Sequence, residues 1–198
     1  FKATSDKRQA TSDKRMPVIY VTGGSSGSHS INLLIEGIIK ELLEKYIVIH
    51  QTGDAKEFND FDRLTKIKNK NYILKKFINP SEIGEILNKT SLVVSRSGMN
   101  TITELIYFQR PALLIPLPFS QNSEQLKNAR FLEKLGLGKV LEQSNTDSKK
   151  LLQTINFMFS NRDSYKINDE DLKNLSLKNA AKNIVSVIND VAKGKTKK

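Results

Sequence analysis

Six short β-rich runs constrain this chain more than any other feature, because each is closed by turn residues and followed by a stretch of helical period. The first, residues 17–22 (PVIYVT), ends in Gly23-Gly24. Isoleucine or leucine then recurs at 31, 34, 35, 38, 39, 42 and 43, the spacing of one helix face. Residues 46–50 (YIVIH) predict a second strand, closed by Gly53, and the charged stretch 58–67 predicts a helix. A third strand is expected at 71–77 (NYILKKF), with Ser81 capping a helix that runs to 88. Residues 91–95 (SLVVS) form the fourth, followed by Gly98 and a helix to 108. The fifth is 111–116 (PALLIP). Beyond the loop 119–123, Leu126, Ala129, Leu132 and Leu135 share a helix face; 138–142 is the sixth strand, and the remainder reads as helix.

Strands that alternate with helices specify an α/β domain. Its sheet is mostly parallel and is covered on both faces. Right-handed crossovers make it doubly wound and Rossmann-like, with about six strands, and ligands sit beyond the carboxyl ends of those strands. Such a domain fills residues 16–192. Residues 1–15 contain ATSDKR twice, which is too short and too polar for a structural repeat, and predict a linker or an appended arm. Residues 193–198 predict a basic, disordered tail.

Composition narrows the chemistry. Cysteine is absent and histidine occurs only at 29 and 50, so thiolate sites and histidine-built metal clusters are excluded. No apolar run is long enough to span a bilayer, and nothing at the start reads as a signal peptide. The formal charge of +11 favours anionic partners, but the lysines are dispersed and no aromatic nucleic-acid signature accompanies them, so nucleic acid is not expected as a partner.

Three strand-to-helix turns carry candidate chemistry. The first, Gly23-Gly24-Ser25-Ser26-Gly27-Ser28, allows close backbone approach and precedes a helix N-terminus, a combination that suits a phosphate. It is neither a P-loop nor G-x-G-x-x-G. The fourth, Ser95-Arg96-Ser97-Gly98-Met99-Asn100-Thr101, offers the same features, and Glu104 one helical turn later suits the two hydroxyls of a ribose. The fifth leads to Gln125 and Asn128, amides on one helix face that suit sugar hydroxyls. For each turn the competing reading is local: a flexible loop, a dipole-stabilised surface acid, or ordinary capping. Together they describe a nucleotide-sugar.

The same residues resemble the C-terminal, donor-binding domain of MurG-type GT-B glycosyltransferases. The likeness rests on 94–105 (VSRSGMNTITEL), 111–116 (PALLIP), 124–129 (EQLKNA), the glycine turn with Ile31-Asn32, His50-Gln51-Thr52-Gly53 and Phe77-Ile78, and extends over about 17–191. It implies UDP-GlcNAc as donor. Glu104 would hold the ribose and the backbone at Ile78 would read uracil, with Phe77 packing nearby. Ser25 and the turn at Met99, Asn100 and Thr101 would contact the diphosphate and part of the sugar, and Gly24, Ser26, Arg96, Ser97 and Gly98 count among the donor-binding residues; Gln125, with Asn128, would take the GlcNAc hydroxyls. Ser26 stands where the family usually has Gln, and Glu124 where Gln or His is frequent, which puts the sugar contacts in doubt.

The resemblance further implies inverting transfer to a lipid-linked muramoyl-pentapeptide, no cofactor and no metal for donor binding. Asp60 and Asp62 fall in a charged helical stretch and form no metal motif. The acceptor-side base is expected from an N-terminal acceptor domain or a partner subunit, so this chain alone would bind donor and barely transfer. The implied location is the cytoplasm, peripheral on the inner face of the plasma membrane, and an anionic membrane surface is left open as a partner. Two alternatives stand beside this reading. One is a stand-alone catalytic subunit that needs a membrane partner, consistent with Met16 just before the first strand. The other is a basic module for nucleic acid or anionic lipid.

Overall fold

The computed structural model describes residues 16–55, 57–175 and 180–193. The arm at 1–15 and most of the basic tail lie outside the described residues. The first strand, β1 (Val18–Thr22), is followed by α1 (His29–Glu36) and α2 (Ile39–Lys45), then β2 (Ile47–Gln51), α3 (Asp60–Leu64) and β3 (Tyr72–Lys75). The second half contains α4 (Pro80–Lys89), β4 (Leu92–Ser95), α5 (Met99–Phe108), β5 (Ala112–Leu114), α6 (Glu124–Lys134), β6 (Gly138–Val140), α7 (Ser148–Ser160), α8 (Asp169–Asn174) and α9 (Ala180–Ala192).

All six strands join one parallel sheet in the order β3-β2-β1-β4-β5-β6. Successive side chains leave opposite faces of each strand, and both faces are filled. Ile19, Val21, Val48, Val94, Leu113 and Ile115 enter one core with residues of α1, α2 and α7. Tyr20, Val93, Ala112 and Leu114 enter the other, against Ile102 and Leu105 of α5 and Ala129 and Leu132 of α6. Each fully buried Leu or Ile contributes about 1.5–3 kcal/mol, so the two apolar layers carry most of the stability. Among the described residues no helix is long and apolar enough to cross a membrane. On α9 the apolar stripe of Ile184, Val187, Ile188 and Val191 is exposed.

Three expectations about the helices need correction. The long helix expected over 31–43 is two helices, interrupted at Gly37. A Cβ there would lie 2.4 Å from Ser148 Oγ at the start of α7, a contact made across more than a hundred residues. The cap of α4 is Asn79, not Ser81: its side chain accepts from Ser81 N–H while Glu82 returns a bond to the Asn79 N–H. Pro80 lacks an N–H and suits the first helical position, which makes the preceding residue the cap. The helix expected over 58–67 is only the five residues of α3, entered through Asn59 at φ 48°.

Candidate functional site

Strand order reverses between β1 and β4, so the turns that follow these two strands diverge around one crevice at the sheet's carboxyl edge. After β1 the chain doubles back through Gly24 (φ +88°) and Gly27 (φ +77°), both in the left-handed region. Gly27 is also packed: a Cβ there would lie 2.0 Å from the Thr52 carbonyl oxygen, so the turn rests backbone to backbone on the end of β2. Gly24 N–H donates to Thr22 Oγ1 (3.0 Å), and the Gly24 carbonyl accepts from Gly27 N–H (3.1 Å) and from Gln51 Nε2 (3.1 Å).

A cleft of about 370 Å³ opens beside this turn. Six of the residues selected from sequence line it: Gly24, Ser25, Ile78, Asn100, Thr101 and Glu104. Tyr20, Ile83 and Leu105 supply apolar surface, and Phe77 stands at the rim with 56 % of its surface exposed. Ile78 buries its side chain in the second core. Glu104 makes no hydrogen bond or ion pair with the described residues, and crowding by protein raises its carboxyl above the ordinary 4.5. A carboxylate left unpaired on an apolar-walled cleft is available to hydroxyl donors.

The two helix N-termini at this edge differ. At α1, Ser28 caps: its Oγ accepts from Ile31 N–H (3.4 Å) and from Arg96 Nη2 (2.8 Å). At α5, the cap position is Gly98, which offers no side chain, and Asn100 and Thr101 bring the first turn to the cleft. The open end of α5 therefore presents its amides and the positive end of its dipole to an anion. A Cβ on Gly98 would meet no protein atom within 4 Å, so nothing in the protein itself demands glycine there.

The other selected residues lie outside the cleft lining. Ser26 is exposed at the tip of the first turn. Arg96 is buried and ties four segments together through Ile115 O (2.9 Å), Pro116 O (3.3 Å), Ser28 Oγ and Gln143 Oε1 (2.7 Å). All four acceptors are neutral, and burial lowers its pKa. Ser97 Oγ donates to Gln125 O (2.7 Å), and the buried Asn128 donates to Ser97 O (3.1 Å), which locks α6 onto the turn after β4. Gln125 Oε1 accepts from Leu117 N–H (3.0 Å), leaving its Nε2 for a ligand. Met99, at the start of α5, is exposed.

Sequence reasoning missed a buried polar network on the β2 side. Asn32 Nδ2 donates to Asp60 Oδ2 (2.7 Å) and Thr52 O (3.1 Å), so Asn32 Oδ1 faces His50 Nε2 at 3.0 Å. That oxygen can only accept, which places the imidazole proton on Nε2 and leaves Nδ1 to accept from Tyr72 OH (2.9 Å). Burial drives His50 down from 6.5 to about 3, in keeping with this neutral tautomer. Asp60 also meets His29 Nδ1 (2.8 Å) and Arg63 Nη2 (2.7 Å). Burial would raise Asp60, but the bonds from Asn32, Arg63 and His29 together outweigh it and hold the carboxyl below 3.8. Asp60 is thus a buried hub rather than part of a solvated charged face. A second cleft, of about 300 Å³, adjoins it, but Asp60 is consumed by the network and Lys76 pairs with Asp54 at 3.3 Å. Among the described residues no group of three His, Cys, Asp or Glu is placed to share a metal ion.

Residues 18–184 match the glycosyltransferase family 28 C-terminal domain. The chain belongs to glycosyltransferase family 28. Its relatives include a UDP-N-acetylglucosamine–N-acetylmuramyl-(pentapeptide) pyrophosphoryl-undecaprenol N-acetylglucosamine transferase of Prochlorococcus marinus (strain MIT 9215), 32 % identical over 178 residues, with 89 % of this chain and 48 % of the relative covered. The same-named protein of Prochlorococcus marinus subsp. pastoris is 35 % identical over 183 residues, covering 87 % and 48 %. The crystal structure of Acinetobacter baumannii MurG superposes with a TM-score of 0.68 at 22 % identity, over 89 % of this chain and 50 % of that one. This family 28 domain therefore spans about half the length of the curated relatives it matches. The likeness in structure shows a Rossmann-like α/β fold matching one half of that structure, and the family match covers both the glycine turn and the Glu104 helix.

Proposed function

We propose that this family 28 domain binds UDP-GlcNAc in the cleft between β1 and β4, as the donor-holding half of an inverting glycosyltransferase. The observation that carries the reading is the grouping, in one cleft, of the Ser25 turn, the uncapped start of α5 and the unpaired Glu104. Glu104 accepts both ribose hydroxyls, the main chain at Ile78 faces the base, and the diphosphate lies between Ser25 and the first turn of α5. Gln125 Nε2 reaches the sugar from the side, with its own orientation set by Leu117 N–H.

In the proposed reaction the 4-hydroxyl of a lipid-linked muramoyl-pentapeptide attacks C1 of GlcNAc as the bond to UDP breaks. The hydroxyl proton passes to a base, and inversion follows from attack opposite the leaving group. The charge that develops on UDP is offset by main-chain N–H groups and by the α5 dipole, so a metal is not needed for donor binding. The acceptor and its base belong to a region or partner beyond this chain. The lipid carrier of that acceptor would bring the complete enzyme to the inner face of the plasma membrane. The relatives' names and the family match support this assignment of donor and acceptor.

Calorimetric titration with UDP-GlcNAc, UDP and UDP-glucose, with and without EDTA, tests the reading. UDP binding that survives EDTA and is lost in Glu104→Ala is the expected result, with UDP-GlcNAc preferred over UDP-glucose. Failure of the folded chain to bind any uridine nucleotide would overturn it.

A further inference from the structure

Gln51 lies at the end of β2, 4 % exposed, and its side chain reaches under the first turn to the floor of the cleft. Its orientation is determined by its neighbours. The Gly24 carbonyl can only accept, so the group 3.1 Å from it must be the Gln51 amide nitrogen. Gln51 Oε1 then faces Tyr20 OH at 3.1 Å and must accept from it. Burial pushes the Tyr20 phenol up to about 12, so the hydroxyl keeps its proton at any physiological pH. The result is a directed chain from Tyr20 through Gln51 to the Gly24 carbonyl.

What this chain of bonds holds is a peptide plane. In a trans peptide the carbonyl of one residue and the N–H of the next point in opposite directions. The Gly24 carbonyl is drawn toward Gln51 and Gly27 N–H, so the Ser25 N–H, on the opposite edge of the plane, points away from both, and Ser25 itself borders the cleft. Rotation of this plane would change ψ of Gly24 and φ of Ser25: Gly24, at φ +88°, has no Cβ to resist it, so the restraint comes from the Ser25 side and from the two bonds to the Gly24 carbonyl. A flipped plane would present the carbonyl oxygen, which repels an anion, where the N–H now stands.

We infer that Gln51, itself fixed by Tyr20, is a positioning residue that keeps the Ser25 N–H aimed at the diphosphate of a bound nucleotide. The inference rests on the nucleotide reading above and deepens it. Gln51 does not touch the phosphates. It acts, together with Gly27 N–H, by holding the orientation of this peptide, so its contribution is specific to the charged part of the ligand.

The test separates that role from general support of the cleft floor by comparing UDP with uridine, which shares the base and ribose but lacks phosphate. Gln51→Met keeps length and volume and removes both polar bonds; Tyr20→Phe removes only the hydroxyl that orients Gln51. Affinities are measured by titration followed in two-dimensional NMR, which also reports that each variant is folded. Gln51→Met is expected to weaken UDP about tenfold while uridine changes less than about twofold, the scale of one misdirected hydrogen bond to a charged group. Tyr20→Phe is expected to give the same pattern at about threefold. Equal losses for UDP and uridine in Gln51→Met, or unchanged affinities for both, would overturn the proposal while leaving nucleotide binding intact. A wild-type chain that binds neither ligand would overturn the nucleotide reading and this proposal together.

Discussion

Two polar regions sit side by side at the carboxyl edge of this sheet, and they use their polar groups in opposite ways. On the β2 side, Asn32, His50, Asp60, Tyr72, His29 and Arg63 are hydrogen-bonded to one another and to nearby protein groups. Across the turn, in the cleft between β1 and β4, Glu104 has no hydrogen-bond or ion-pair partner among the described residues and α5 begins without a side-chain cap. Buried polar groups cost free energy unless they are paired, so the first arrangement is what a fold needs to enclose them. The second costs the protein something and is maintained where a ligand completes it. A cluster of charges is therefore a poor guide to function by itself; whether the charges are already satisfied is the better one.

The sharpest way to break this contrast is Asn32→Leu. It leaves the His50 Nε2 proton and one Asp60 oxygen without partners, and should lower the unfolding free energy by about 3 kcal/mol in urea denaturation. The ratio of UDP to uridine affinity in the folded variant should stay the same. A loss below about 1 kcal/mol would mean that the network is dispensable.

Glu104→Ala should show the reverse. Stability should change by less than about 0.5 kcal/mol, as for an exposed position, while UDP affinity falls by more than about 100-fold through two lost hydrogen bonds to a charged acceptor. Large destabilisation in that variant would return Glu104 to the structural side of the comparison.

Acid separates the two regions by sign. His50 is held near 3 in the fold against 6.5 when free, so between those values the unfolded chain binds the extra proton. Its contribution to stability is complete above pH 6.5 and is lost as pH falls toward 3, at up to about 1.4 kcal/mol per pH unit. Glu104 is raised, so its proton favours the fold, but the same proton removes the acceptor that ribose needs. UDP affinity should therefore decline at a higher pH than an ordinary glutamate would give, and Glu104→Gln should flatten that profile. The smallest expected effect is that of Gln125→Ala, a loss of about 1 kcal/mol for UDP-GlcNAc and none for UDP, because only the sugar would meet its Nε2.

The alternation of apolar runs with helix-period stretches was sufficient to read an α/β domain with six strands from the chain, because both periods are local. Gly24, Ser25, Asn100, Thr101 and Glu104 were readable for the same reason: each sits within a turn of a strand end, and parallel crossovers bring all strand ends to one edge. Other properties are decided by residues far apart in sequence. Gly37, between α1 and α2, has no room for a Cβ because the start of α7 packs against it, and Arg96 is buried where Gln143, Ser28 and the end of β5 meet. Asp60 falls in a charged helical stretch in its own segment and becomes buried only when α1 and β2 enclose it. Local pattern determined which elements exist and which edge gathers the strand-to-helix turns. Only the tertiary structure decided which polar groups at that edge are already satisfied, because satisfaction depends on partners that no local stretch of sequence contains.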